Sequence, residues 1–211
     1  IDPVIAYSPS QGTPQYVAAM CRYYETVGLK VLPQNLVATT GGSEAVLFAF
    51  LCLAEFGDEV IVFEPFYTNY SSFATMAGVK LVPVQCRGEE GFHLPPREAF
   101  EKALSKRTRF VLLCNPNNPT GTVYSREEVQ RVADFCRDHD LFLVSDEVYR
   151  EFVYGGISAT SALDIPGMED RVVVVDSLSK RFSACGIRLG CFVSRNAEVI
   201  AAVIRAAQGR L

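Results

Sequence analysis

The chain has 211 residues, 49% of them hydrophobic and 21% charged, with 20 Lys and Arg against 24 Asp and Glu. At roughly 150 residues per domain this predicts one large domain, or one domain plus a fragment of a second, and the composition excludes disorder, collagen-like repeats and coiled coils. A net charge of -4 offers no electrostatic footprint for nucleic acid or an anionic membrane, so a small ligand is expected.

In chain order, apolar runs and helix-period segments predict a helix over 14–27, a strand over 36–40, a helix over 43–55 and a strand over 59–63. A helix over 68–77, a strand over 79–84, a helix over 96–105 and a strand over 109–114 follow, then a helix over 126–139 and strands over 141–145, 172–176 and 189–194, with a last helix over 197–208. Seven strands interleaved with helices predict an α/β fold, a three-layer α/β/α sandwich around a mostly parallel sheet. The helix over 126–139 has the sharpest start, an S-x-x-E capping box of Ser125 and Glu128, with Val129, Val132, Ala133 and Cys136 on one face. The segment 43–55 is apolar nearly all round, which predicts an interior helix, and Pro83 sends its strand to a sheet edge because it has no N–H for a ladder. Residues 154–170 read as a long loop.

Seven cysteines at irregular spacing, without a C-x-x-C pair, argue against a disulfide framework or a zinc cluster and fit a reducing, cytoplasmic compartment. The longest apolar stretch, 45–54, is about half of the ~20 residues that cross a bilayer. The chain opens on Ile1 and ends directly after a helical run, which suggests a piece of a longer protein.

In open α/β sheets, ligands sit beyond the carboxyl ends of the parallel strands, and there the polar residues collect. Gly41-Gly42-Ser43-Glu44 leads into a helix and offers free N–H groups to an anion. Glu64-Pro65-Phe66-Tyr67 brings aromatic faces to the same rim, and Asn115-Pro116-Asn117-Asn118-Pro119-Thr120-Gly121 is a rigid turn with amide side chains. Ser145-Asp146-Glu147-Val148-Tyr149 and Asp176-Ser177-Leu178-Ser179-Lys180 complete it, with Arg188 eight residues on. Each alone has a bland reading: a tight turn, a helix cap, a half-buried aromatic, a solvated lysine. Together they form a set suited to a planar, phosphorylated, basic heteroaromatic ring that reacts with an amine.

The Asn115–Gly121 turn, the Ser145–Tyr149 segment and the run from Ser177 through Lys180 to Gly190 resemble, in order and spacing, the fold type I pyridoxal-phosphate-dependent aminotransferases of class I/II, the aspartate aminotransferase-like group. The resemblance covers essentially the whole chain and implies that 1–211 is the large, pyridoxal 5'-phosphate-binding domain, the major domain of the PLP-dependent transferase fold. By this resemblance Lys180 carries the cofactor as a Schiff base and shuttles a substrate proton. Arg188, Ser177 and the Gly42, Ser43, Glu44 segment bind its phosphate. Asp146 pairs with the pyridine nitrogen, Tyr149 and Asn118 bond the ring hydroxyl, and Tyr67 stacks on the ring. Tyr7, in Tyr7-Ser8-Pro9-Ser10-Gln11-Gly12, resembles a segment that reaches the partner subunit's phosphate, which implies a homodimer with shared sites. The substrates implied are an L-amino acid and a 2-oxo acid, with aspartate, alanine or aromatic donors open. The family's substrate-carboxylate arginine and small C-terminal domain have no counterpart among these residues, and apolar surface is expected where they would dock.

The same cofactor cradle also serves β-lyases and aminocyclopropane-carboxylate synthase-like enzymes. A serine acyl hydrolase using Ser177-x-x-Lys180 would need S-D-N and K-T-G companions that the sequence does not contain. A noncatalytic sensor domain would be expected beside a DNA-binding module, of which there is no sign in the sequence.

Overall fold

In a computed structural model, which describes residues 7–210, the alternating pattern becomes one seven-stranded sheet between two helical layers. The elements are α1 (Pro14–Thr26), β1 (Leu36–Thr39), α2 (Gly41–Leu53), β2 (Glu59–Glu64), α3 (Asn69–Ala77), β3 (Lys80–Gln85) and α4 (Arg97–Ala103). They continue with β4 (Thr108–Cys114), α5 (Arg126–Asp138), β5 (Phe142–Asp146), β6 (Val172–Ser177), α6 (Leu178–Arg181), β7 (Gly190–Ser194) and α7 (Ala197–Gln208). The predicted elements are all present within about two residues; the four-residue α6 was not foreseen, and the 154–170 loop contains a single 3-10 turn, Ala162–Asp164.

The strand order is β1-β7-β6-β5-β4-β2-β3. Strands β2 to β6 pair in parallel, whereas β7 runs antiparallel to both β1 and β6. Strand β3 lies at the edge, as Pro83 requires.

Side chains alternate across the sheet with period two, so each strand feeds two cores. Ile61, Phe63, Val172 and Val174 pack with α1, α4 and α5, while Val60, Val62, Val173 and Val175 pack with α2, α3 and α7. Helix α5 has its capping box in place, with Ser125 accepting from Glu128 N–H at 3.2 Å and Glu128 accepting from Ser125 N–H at 2.8 Å. Its Val129, Val132, Ala133 and Cys136 are fully buried. Helix α2 is interior on most of its circumference, but Leu51 is 49% exposed, so one face is open where the apolar pattern alone indicated full enclosure. No helix among the described residues is long and apolar enough to cross a membrane.

The period-two alternation decides what each strand end presents. On β5, Val144 faces the α2 and α3 layer, so Asp146 does too; on β6, Val175 and Ser177 face that layer while Asp176 points to the α1 layer. The carboxyl ends of these strands therefore present two different polar surfaces.

Candidate active site

Beyond the carboxyl ends of β4, β5 and β6, on the α2 and α3 side, lies a cleft of about 220 Å³. Gly42, Ser43, Tyr67, Asn118, Asp146, Tyr149, Ser177, Lys180 and Arg188 line it, bringing together residues 146 positions apart in the chain, from Gly42 to Arg188.

One end is built for an anion. Helix α2 begins at Gly41 with no side-chain cap from Thr40, which leaves its first N–H groups and positive dipole end open to the cleft. Arg188 lies against that start: a Cβ on Gly41 would come within 2.4 Å of its guanidinium, and the backbone of Gly41 is left-handed at φ +73°. Gly190 serves the same close approach, since a Cβ there would meet Gly41 C at 2.6 Å and Asp176 O at 2.7 Å. Arg188 itself is held at φ 53°, a conformation that costs a non-glycine residue roughly 1–3 kcal/mol and collects at functional sites. Its Nη1 donates to Cys185 O at 2.9 Å, and it has no carboxylate partner among the described residues. Ser177 Oγ donates to Leu189 O at 3.2 Å or Ser179 Oγ at 2.9 Å, fixing its hydroxyl at the same end.

The other end holds a carboxylate. Asp146 is 8% exposed; Tyr70 donates to its Oδ2 at 2.6 Å and Val148 N–H to its Oδ1 at 3.3 Å. No cation pairs with it among the described residues. Burial pushes its carboxyl up to about 6, against the pull of those two hydrogen bonds. A buried acid in this state accommodates a protonated nitrogen brought by a ligand.

Between the ends, Lys180 projects into the cleft with Nζ 3.9 Å from Cys185 Sγ and 6.0 Å from the centre of the Tyr149 ring. No carboxylate pairs with it among the described residues. Tyr67 forms an aromatic wall, set edge-on to Tyr70 at 5.5 Å. Asn118 is presented by a turn locked through Asn117 Oδ1, which accepts from Thr120 N–H and Oγ1, and through Asn115 Oδ1, which accepts from Tyr124 N–H at 2.9 Å. The set combines an anion cradle, a planar wall, a buried acid and an unpaired amine. It fits pyridoxal phosphate in charge, size and functional groups.

Two residues of the sequence-derived set lie elsewhere. Glu44 does not line the cleft: its carboxylate accepts from Thr40 N–H at 2.7 Å and pairs with Arg210, because the helical rotation from Ser43 carries it toward the α7 end. Tyr7 is 84% exposed and outside the cleft of its own chain. Conversely, Val46, Tyr70, Phe73, Cys114, Ser179 and Cys185 line the cleft without having been singled out. Tyr70 had a usable signal, falling one helical turn after Tyr67; Cys185 had none.

The chain is similar to proteins of one kind. The family model for aminotransferase class I and II matches residues 2–210. Human kynurenine--oxoglutarate transaminase 1 is 38% identical over 197 residues, covering 87% of this chain and 46% of that protein. Aspartate aminotransferase of Pyrococcus horikoshii is 35% identical over 195 residues, covering 92% of this chain and 49% of its own length. The solved aspartate aminotransferase of Thermotoga maritima superposes with a TM-score of 0.91 at 32% identity, covering 98% of this chain and 55% of that one. The chain thus spans about half the length of the relatives it matches. Proteins of fold type I in this family generally use pyridoxal phosphate. With the fold, the cleft and these matches in agreement, the chain belongs to the class I and II aminotransferases.

Proposed function

We propose that residues 1–211 form the pyridoxal-phosphate-binding large domain of a transaminase that moves an amino group between an L-amino acid and a 2-oxo acid. The observation that carries this reading is one cleft holding Lys180, unpaired, between a buried and uncompensated Asp146 and the Arg188 end of α2. When bound, pyridoxal phosphate supplies an aldehyde that reacts with amines and a ring that draws electrons from the substrate.

The protein's own residues do the rest. Arg188, Ser177, Ser43 and the N–H groups at the start of α2 bind the phosphate. Asp146 holds a proton on the ring nitrogen, and each unit by which this pairing raises the nitrogen's pKa corresponds to about 1.36 kcal/mol. Tyr67 supports the ring face, and Tyr149 and Asn118 donate to its hydroxyl oxygen. Lys180 Nζ would hold the cofactor at its aldehyde and would be the base that carries the substrate proton. Tyr7, exposed at the entrance to α1, serves a second copy's phosphate site in a homodimer.

The test uses the full-length protein loaded with pyridoxal phosphate. An L-amino acid should shift the cofactor absorbance to that of the amine form, and a 2-oxo acid alone should restore it. Release of a substrate side-chain fragment, with no restoration by any 2-oxo acid, would instead indicate an elimination enzyme.

A further inference from the structure

Behind the cleft, on the α1 face of the same strand ends, lies a second polar assembly. Asp176 is fully buried and receives Arg181 Nη2 at 2.9 Å, Arg150 Nη1 at 3.2 Å and Tyr24 OH at 3.1 Å. Arg150 also pairs with Glu147, itself 1% exposed, whose other oxygen accepts from Ser161 Oγ and Ala162 N–H. Arg181 Nε donates to Glu151 at 2.8 Å, and its guanidinium stacks 3.7 Å from the centre of the Tyr23 ring.

Four of the charged residues of this layer are chain neighbours of cleft residues. Glu147 follows Asp146, Arg150 follows Tyr149, Asp176 precedes Ser177 and Arg181 follows Lys180. The layer therefore ties together, from behind, the two segments, 146–150 and 176–181, that supply the cleft's carboxylate, phenol, hydroxyl and amine. The tie matters most at Lys180. Helix α6 has four residues, too few to hold itself by its own hydrogen bonds, and the segment after it is largely exposed up to Leu189. The side chain of Arg181 is 6% exposed, so its fork and its stack are held inside the protein.

We propose that Arg181 is a positioning residue for Lys180, its fork on Asp176 and Glu151 and its stack on Tyr23 fixing the short turn that aims the lysine amine into the cleft. The proposal rests on the reading of Lys180 as the cofactor-anchoring amine. Capture by that amine forms a carbon–nitrogen double bond between Nζ and the cofactor aldehyde and releases one water. A ligand without the aldehyde, pyridoxamine phosphate, uses the phosphate cradle and Asp146 but not the lysine bond.

The experiment measures both in the full-length protein: the rate of pyridoxal phosphate capture, by borohydride trapping, and pyridoxamine phosphate affinity. Arg181→Met should slow capture by about 10- to 100-fold, as expected for a displaced reacting group, while pyridoxamine phosphate affinity stays within about twofold. Tyr23→Phe, which keeps the stack and removes the hydroxyl bonded to Glu151 and Arg150, should leave capture within about twofold. Tyr23→Leu, which removes stack and hydroxyl but leaves the charges, should slow capture by a smaller factor than Arg181→Met and keeps the test available if Arg181→Met does not fold. Capture unchanged in folded Arg181→Met or folded Tyr23→Leu, or capture and pyridoxamine phosphate affinity falling together, would overturn the proposal. Absence of capture at Lys180 in the unsubstituted protein would instead overturn the reading of the cleft.

Discussion

The two surfaces at the carboxyl ends of β5 and β6 use similar residues for opposite purposes. On the α1 face, Asp176 and Glu147 are matched by Arg150 and Arg181, with the Tyr24 and Ser161 hydroxyls and the Ala162 and Ser177 N–H groups taking further lone pairs. On the α2 face, among the described residues, Asp146 is buried without a cation, Lys180 has no carboxylate, and Arg188 sits in a strained backbone conformation with only neutral partners. Charges satisfied within the chain make structure. Charges left uncompensated in a cleft are held for a ligand.

The largest effect that sharpens this contrast comes from the satisfied side. Asp176→Asn removes the carboxylate shared by two buried arginines, and should cost about 3–5 kcal/mol in urea denaturation. A loss below about 1 kcal/mol would mean the layer is not a structural unit.

Asp146→Asn should do the reverse. The folded chain holds the Asp146 proton more tightly than the unfolded chain, since burial raises its carboxyl from 3.8 to about 6. The stability this gives is complete below the unfolded value and is lost as pH rises through about 6. In the cofactor-free protein, the asparagine variant should therefore equal the original near pH 4 and exceed it at pH 8, by at most about 3 kcal/mol. A pH-independent difference would show that the carboxylate is already compensated.

Arg188→Ala should weaken pyridoxal phosphate binding by roughly 10- to 100-fold, the range for a lost charge-assisted hydrogen bond, and leave folding stability nearly unchanged. Equal affinity in equilibrium titration would remove Arg188 from the phosphate end. Smallest is Ser125→Ala, remote from both surfaces, which should cost ~1 kcal/mol through loss of the α5 cap with no change in cofactor binding. An effect on binding would show that the two faces are not separable from the α5 layer.

Most of the fold was legible because strand and helix periods are local properties. Val172 to Val175 can only be a buried strand, and Ser125 with Glu128 marks a helix start wherever it falls. Strand direction is not local, so the reversal of β7 left no mark in its own residues. The cleft was legible where residues follow strands in recognisable runs, as with Asp146, Lys180 and Arg188. It was not legible where helical rotation decides, which is how Glu44 turned away and Tyr70 turned in. The ionic layer was hidden for a related reason: nothing about Arg150 or Arg181 in the sequence separates them from surface arginines, and only the period-two alternation at β6 places Asp176 opposite Ser177.

Whether Lys180 is the amine this cleft directs at a ligand is decided by peptide mass spectrometry after pyridoxal phosphate and borohydride treatment. The reduced cofactor should appear on the peptide containing Lys180 and be lost in Lys180→Ala. Label on exposed lysines such as Lys80 instead, or undiminished incorporation in Lys180→Ala, would contradict it.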